Sequence, residues 1–302
     1  MQILLTGGTG LVGRALCRHF KQQGYQLIVL SRQPSKVSEL CSGARGIGTL
    51  NELTDKDPVD AVINLAGAPI ADRPWTQNRR RILRESRIDL TRNLVDWMAQ
   101  RKQPPAVLLS ASATGWYGNR GEEPIDETSA PPAADFASHL CQDWEAEVMR
   151  AQQFGTRVVC LRFAPVLSAD GGMLAKLLPV FRLGLGGRLG SGQQWMPWIH
   201  IDDLVRLFAH VLTNDNCAGV YNACSPQPVR NVEFTRMLAK TVHRPALLPA
   251  PAWALKLLLG EMSILLIGGQ HIQPRRTADS GFEWHYPELS AALQNLLSRK
   301  AS

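Results

Sequence analysis

The sequence has no Cys-x-x-Cys pair, although its six cysteines (17, 41, 141, 160, 217 and 224) are scattered along 302 residues. That spacing argues against a disulfide framework or a zinc site and for reduced thiols, as in a cytoplasmic protein. Uninterrupted apolar runs of membrane-spanning length are missing too. The most apolar late stretch, 252–267, is broken by Lys256, Gly260 and Glu261, so no membrane is expected as a partner. There is no internal repeat and no low-complexity segment. Nor is there a basic-aromatic nucleic-acid module, which argues against nucleic acid as a partner despite a net charge of +7. The densest basic cluster, Arg79, Arg80, Arg81, Arg84 and Arg87, reads as a solvated helix face or as attraction for an anionic ligand. What remains is an ordinary globular composition, 45% hydrophobic and 20% charged, long enough for one or two domains.

The informative stretch is the first. Ile3, Leu4 and Leu5 form a short apolar run suited to a strand buried on both faces. Gly7, Gly8, Gly10 and Gly13 follow, and then Leu11, Val12, Ala15, Leu16 and Phe20 recur at helical spacing. Strand, glycine turn and helix are the geometry of a dinucleotide site. Gly7 permits a tight turn, Gly10 a close approach to pyrophosphate, and Gly13 packing of helix on strand. The helix N-terminus offers amide groups and a positive dipole end to the phosphates. The turn occupies the start of the chain, so no signal peptide is expected there.

A second apolar strand at 26–30 ends at Ser31 and Arg32. An acidic residue at this position would bond the ribose 2′-hydroxyl of NAD, whereas an arginine pairs with a 2′-phosphate, so Arg32 favours NADP. The stretch 35–58 reads as loop with a short strand near 46–50, and 60–65 reads as a buried strand running into Ala66 and Gly67. A long helical pattern covers 78–100, and a strand at 107–109 leads into the hydroxyl-rich segment 110–118, whose hydroxyls could orient a carbonyl. A helix at 135–153 and a sixth strand at 157–163 complete the alternation of a doubly wound parallel sheet.

Beyond Pro165 the texture changes. The glycine-rich run 182–192 follows a helix-like stretch and reads as a lid or substrate loop. His200 and Asp202 lack a third metal ligand, so no metal is expected; they read as the junction of a short strand and a helix, capped by Asp202 or Asp203. Further helices are expected at 234–242, 253–267 and 289–297. A Rossmann domain over 1–165 and a smaller substrate-binding region over 166–302 are the expected divisions, the latter including a distinctive segment at 250–298.

The segments TGGTGLVG, NLAG at 64–67, SASATGWYG at 110–118 and PWIHIDDL at 197–204 resemble the extended short-chain dehydrogenases/reductases of the nucleotide-sugar-epimerase type. The block at 181–204 and the segment 250–298 are more similar to the YfcH-type epimerase-family proteins. The resemblance implies a Rossmann fold with NADP(H) along Thr6, Gly7, Gly10, Leu11, Val12 and Gly13, at Ser31 and Arg32, and at Leu65, Ala66 and Gly67. It places Arg87 where relatives carry an asparagine close to the cofactor, and an arginine there would add a charge-assisted bond to a phosphate. Val166 would lie against the nicotinamide end.

Active members of that superfamily carry Tyr-x-x-x-Lys on the helix after the serine strand. Alignment on Glu145 puts Ala137 and Cys141 at those positions, while Ser112 matches the family's serine. Proton transfer is then expected from Ser112, Tyr117 or water. Two functions follow: an NADP(H)-dependent epimerase or oxidoreductase acting on a small molecule, or a non-catalytic NADP(H) redox sensor. A homodimer is open to either.

Overall fold

The computed structural model describes residues 1–132 and 135–298; the last four residues of the expected 166–302 region lie outside the described residues. Seven strands form one parallel sheet: β1 (Gln2–Thr6), β2 (Gln26–Leu30), β3 (Arg45–Ile47), β4 (Ala61–Asn64), β5 (Val107–Ala113), β6 (Arg157–Phe163) and β7 (Gly219–Ala223). Their order is β7-β6-β5-β4-β1-β2-β3. Side chains alternate across a strand, so each strand feeds two apolar layers. Ile3 and Leu5 join one layer with Ala61, Ile63 and Leu109, while Leu4 joins the other with Val62 and Leu108. Both faces being buried accounts for the continuous apolar runs of β1 and β4.

Helices cover both faces, as in a Rossmann-type doubly wound α/β fold. α1 (Leu11–Gln22) buries Gly13, Leu16, Cys17 and Phe20, a spacing of three and four that presents one stripe to the first layer. The helical stretch expected at 78–100 is divided in three: α2 (Gln77–Arg84), a π turn (Glu85–Asp89) and α3 (Leu90–Ala99). The wide turn re-aims the residues within it, and such turns are frequent at functional sites. α4 (Phe136–Met149) starts at Asp135, whose carboxylate accepts the amides of Ala137 at 2.8 Å and Ser138 at 3.1 Å.

The chain crosses the expected division at residue 165. After α5 (Gly172–Arg182), α6 (Ile201–Thr213) packs in the first sheet layer and β7 extends the sheet at its edge. A third apolar cluster joins α5 to α7 (Asn231–Thr241) and α9 (Leu289–Ser298) through Leu174, Phe181, Phe234, Leu238 and Leu293. The glycine-rich loop is held down: an added Cβ at Gly187 would lie 1.9 Å from the Leu248 carbonyl oxygen.

Two local expectations are corrected. The helix expected at 253–267 breaks after α8 (Ala252–Leu259), because Gly260 takes φ +58°; short turns follow at 260–263 and 264–267. The cap of α6 is His200, whose Nδ1 accepts the Asp202 amide at 3.0 Å, not Asp202 or Asp203. Asp203 is taken up elsewhere. It is buried, and its two oxygens accept the amides of His285 (2.8 Å) and Tyr286 (2.9 Å).

The segment after α8 is fastened at several points. Glu261 pairs with Arg80 of α2, the Gly269 amide donates to Asn119 Oδ1 at 2.9 Å, and the Gln270 side chain donates to the carbonyls of Thr114 and Gly118. Among the described residues no helix is long and apolar enough to cross a membrane.

Replacing Asp203 with Ala removes the acceptor of the His285 and Tyr286 amides and the partner of Arg206, 3.5 Å away, and is expected to destabilise the protein by about 2–4 kcal/mol. Urea unfolding followed by tryptophan fluorescence measures this; a loss below about 0.5 kcal/mol would show that the carboxylate does not hold the C-terminal segment.

Candidate functional site

Strand order reverses at β1, with β2 and β3 on one side and β4 to β7 on the other. Ligands of open α/β sheets bind in the crevice outside the strand ends at this point. The glycine turn fills it closely. Gly7 has φ +69°, and a Cβ added there would lie 2.7 Å from the Leu65 carbonyl carbon. One added at Gly13 would lie 2.4 Å from the Gly7 oxygen. Substitution at either position must push backbone from backbone. Gly10 is the N-cap of α1 and supplies no side-chain bond; the first turn carries no acidic residue. The leading amides of Leu11, Val12 and Gly13 fall outside the helical ladder, which leaves a positive, donor-rich helix end.

A buried polar strut ties the strand ends together. Thr6 Oγ1 donates to Asn64 Oδ1 at 2.6 Å and accepts the Ala66 amide at 3.2 Å. Asn64 Nδ2 donates to Thr91 Oγ1 at 2.8 Å and to Ser110 Oγ at 3.2 Å, and Trp144 Nε1 donates to Thr91 at 3.0 Å. The strut thereby fixes Leu65, Ala66 and Gly67 opposite the glycine turn. Asn64, Thr91 and Ser110 were not anticipated as site supports; the one signal was a polar residue inside the apolar strand at 60–65.

Ser31 and Arg32 lie at the same edge, because Leu30 pairs in register with Thr6. Arg32 is exposed, and no acid pairs with it among the described residues. Arg87 emerges from the π turn and lies flat against Gly67, where an added Cβ would be 3.0 Å from its Cζ. Its Nη2 donates to the Ala68 carbonyl at 3.0 Å. Burial lowers its pKa to about 10. Val166, partly buried, pairs with Ile199 just past the end of β6. Gly171 and Gly172 pack on the Leu11 side chain and so bring this segment over the glycine turn.

The hydroxyls proposed for chemistry lie deeper. Ser112 is buried and donates to Glu145 Oε1 at 2.5 Å. Glu145 forms a two-pronged pair with Arg162, at 2.9 Å (Nε to Oε1) and 2.8 Å (Nη2 to Oε2). Arg162 also donates to the Tyr117 hydroxyl at 2.9 Å and lies 3.8 Å above the Trp116 ring. Tyr117 is 0% exposed; its hydroxyl donates to Asn222 Oδ1 at 2.7 Å, and burial pushes its pKa up to about 12. A phenol so placed holds its proton and its partners, which suits packing better than proton exchange with a ligand. The buried Glu145–Arg162 pair was not anticipated; its members stand 17 residues apart, one on α4 and one on β6, and meet only where that helix packs on that strand. All six cysteines are buried and unbridged. Among the described residues no group of three or more His, Cys, Asp or Glu side chains could hold a metal ion.

A parallel doubly wound sheet, with a glycine turn and an uncapped helix at its switch point, defines a dinucleotide-binding α/β protein. Comparison with known proteins narrows the class. Residues 3–224 match the NAD dependent epimerase/dehydratase family, and residues 250–296 match a domain of unknown function, DUF1731. The chain is 38% identical to the epimerase family protein SDR39U1 homolog, chloroplastic, of Arabidopsis thaliana, over 98% of this chain and 87% of that one. It is 34% identical to the epimerase family protein YfhF of Bacillus subtilis, over 99% of this chain and 98% of that one. The crystal structure of human epimerase family protein SDR39U1 (isoform 2) with NADPH matches with a TM-score of 0.88 at 32% identity, covering 99% of both chains. The chain belongs to the NAD dependent epimerase/dehydratase family.

Glu145→Ala would leave Arg162 as an uncompensated buried charge, at a cost of about 3–5 kcal/mol. The expected outcome is a large drop in the urea midpoint, and Glu145→Gln should recover part of it. An unchanged midpoint in the alanine variant would contradict this assignment.

Proposed function

We propose that the chain binds NADP(H) across the switch-point crevice and acts as an epimerase or oxidoreductase on a small molecule. The observation that carries the reading is the glycine cradle beneath an uncapped helix, flanked by two arginines with no acid pairing them among the described residues. A closely packed glycine turn, free amides and cations without acid partners fit a dinucleotide diphosphate with an extra phosphate. The amides of the α1 first turn would hold the diphosphate. Arg32 would hold the 2′-phosphate and Ser31 would stand beside it. Leu65, Ala66 and Gly67 would line the far wall, with Val166 toward the nicotinamide. The human relative named above was crystallised with NADPH, which supports the same choice of coenzyme.

When bound, such a coenzyme supplies a hydride or accepts one. The chain's own contribution is to orient the two reactants and to manage a proton. Ser112 stands at the end of β5 nearest that chemistry, and its one hydroxyl proton, given to Glu145 in the free protein, is the one we favour turning to a substrate carbonyl; the buried Tyr117 steadies Glu145 through Arg162. Water then supplies the proton.

A second reading rests on the same buried network. Because both hydroxyls are engaged inside the protein, the chain could bind NADP(H) and report its redox state without turnover. The two readings differ in one measurement. Incubation of NADPH with the protein and a broad carbonyl panel, followed at 340 nm, shows substrate-dependent loss for an enzyme. Tight binding with no loss across the panel favours the sensor. In the enzyme reading Ser112→Ala should lower turnover by about 10²-fold with little change in NADPH affinity.

Arg32→Ala is expected to weaken NADPH binding by about 1.5–3 kcal/mol and to leave NADH binding nearly unchanged. Calorimetric titration of both coenzymes decides this; an equal effect on both would remove Arg32 from the phosphate site.

A further inference from the structure

Most of the basic residues around the π turn are paired: Arg80, Arg81, Arg84 and Arg92 reach Glu261, Glu85, Asp143 and Glu147. Among the described residues no carboxylate pairs with Arg79, which donates to the Pro69 carbonyl, or with the partly buried Arg87. Arg87 donates to two backbone carbonyls, Ala68 at 3.0 Å and Leu83 at 3.4 Å. A guanidinium has five N–H donors, so these bonds leave part of the fork unused. The Trp144 ring centroid lies 5.3 Å from Cζ, and Gly67 packs close to the same guanidinium. The cation is thus held at the strand end by an aromatic ring and backbone, with no carboxylate pairing it among the described residues.

Cys141 stands one turn before Trp144, the ring beneath Arg87, on the same face of α4; burial and then Glu145 raise its thiol pKa, and Arg87 opposes them. The Cys141 sulfur also lies beside Gly115, 3.6 Å from where that residue's Cβ would be. Position 141 therefore borders the Arg87 guanidinium from the α4 side and contributes no charge of its own. The two arginines flank opposite sides of the switch point, Arg32 at the end of β2 and Arg87 beside the end of β4. A dinucleotide lying across the strand ends with its 2′-phosphate at Arg32 brings its nicotinamide half to Arg87.

We propose that Arg87 is the positioning cation for the nicotinamide half of the coenzyme, holding the adjoining phosphate and ribose, and that the π turn delivers this charge to the space bordered by residue 141 of α4. The inference rests on the NADP(H) reading above. Because the group it contacts is common to both coenzymes, Arg87 contributes affinity without choosing between them, which separates its role from that of Arg32. Two cations in this space would repel one another, so a charge at 141 is useful only when the charge at 87 is absent.

The test is fluorescence titration of NADPH and NADH against the full chain and its Arg87→Met, Cys141→Lys, Arg87→Met/Cys141→Lys and Arg87→Lys variants, with melting curves to verify folding. Arg87→Met is expected to weaken both coenzymes by about tenfold to a hundredfold. Cys141→Lys alone should bind no more tightly than the unmodified chain, whereas the double variant should bind more tightly than Arg87→Met. Arg87→Lys keeps the charge in a desolvated place that depresses an ammonium more readily than a guanidinium, so its affinity should fall between pH 7 and 10 more steeply than that of the unmodified chain. Unchanged affinities in Arg87→Met, or a double variant no tighter than Arg87→Met, would overturn the assignment while leaving NADP(H) binding intact. If the unmodified chain takes up neither coenzyme, the underlying reading fails with it.

Discussion

The arrangement of the crevice is set by the approach of the first glycine turn to the end of the neighbouring strand. With Gly7 at positive φ and the Leu65 backbone where its Cβ would be, β1 and β4 meet with no side chain between them. The helix start is thereby brought over the sheet edge with its amides outward. The Thr6–Asn64–Thr91 chain then holds that arrangement from below, linking the first strand to the third and fourth helices through Trp144. Arg32 and Arg87 take their places because the strands and the π turn around this point are fixed.

The local parts of this arrangement were readable in the sequence, and the non-local parts were not. β1, the glycine turn, α1 and the end of β2 follow one another within 32 residues, and each carries its own periodicity or backbone signature. β7 is a short edge strand, half of it only partly buried, and does not stand out by pattern. The π turn leaves no mark, because apolar residues continue on both sides of it and one extra residue per turn scarcely disturbs their spacing. The role of Asp203 is set by the amides of residues 285 and 286, contacts across 82 and 83 positions.

The hydroxyls of Ser112 and Tyr117 illustrate a different limit. Their positions in the chain suggested chemistry, but an isolated sequence carries no depth. In the fold both are attached to a buried carboxylate–guanidinium pair, with Trp116 stacked on Arg162 and Asn222 closing the far end. The network is satisfied internally and joins β5, β6, β7 and α4, so it gives the sheet rigidity beside the crevice. The carboxylate, guanidinium and phenol there keep a floor in place beside Ser112, the member of the network at the end of β5.

Asp203 carries an implication for how such chains are inherited. The stretches 3–224 and 250–296 match separate families, yet a carboxylate in the first accepts backbone amides of the second. A gene that dropped its final fifty codons would expose a raw apolar wall and leave Asp203 with Arg206 alone. The appended piece is consequently no detachable accessory: it is half of a core whose other half belongs to the neighbouring family.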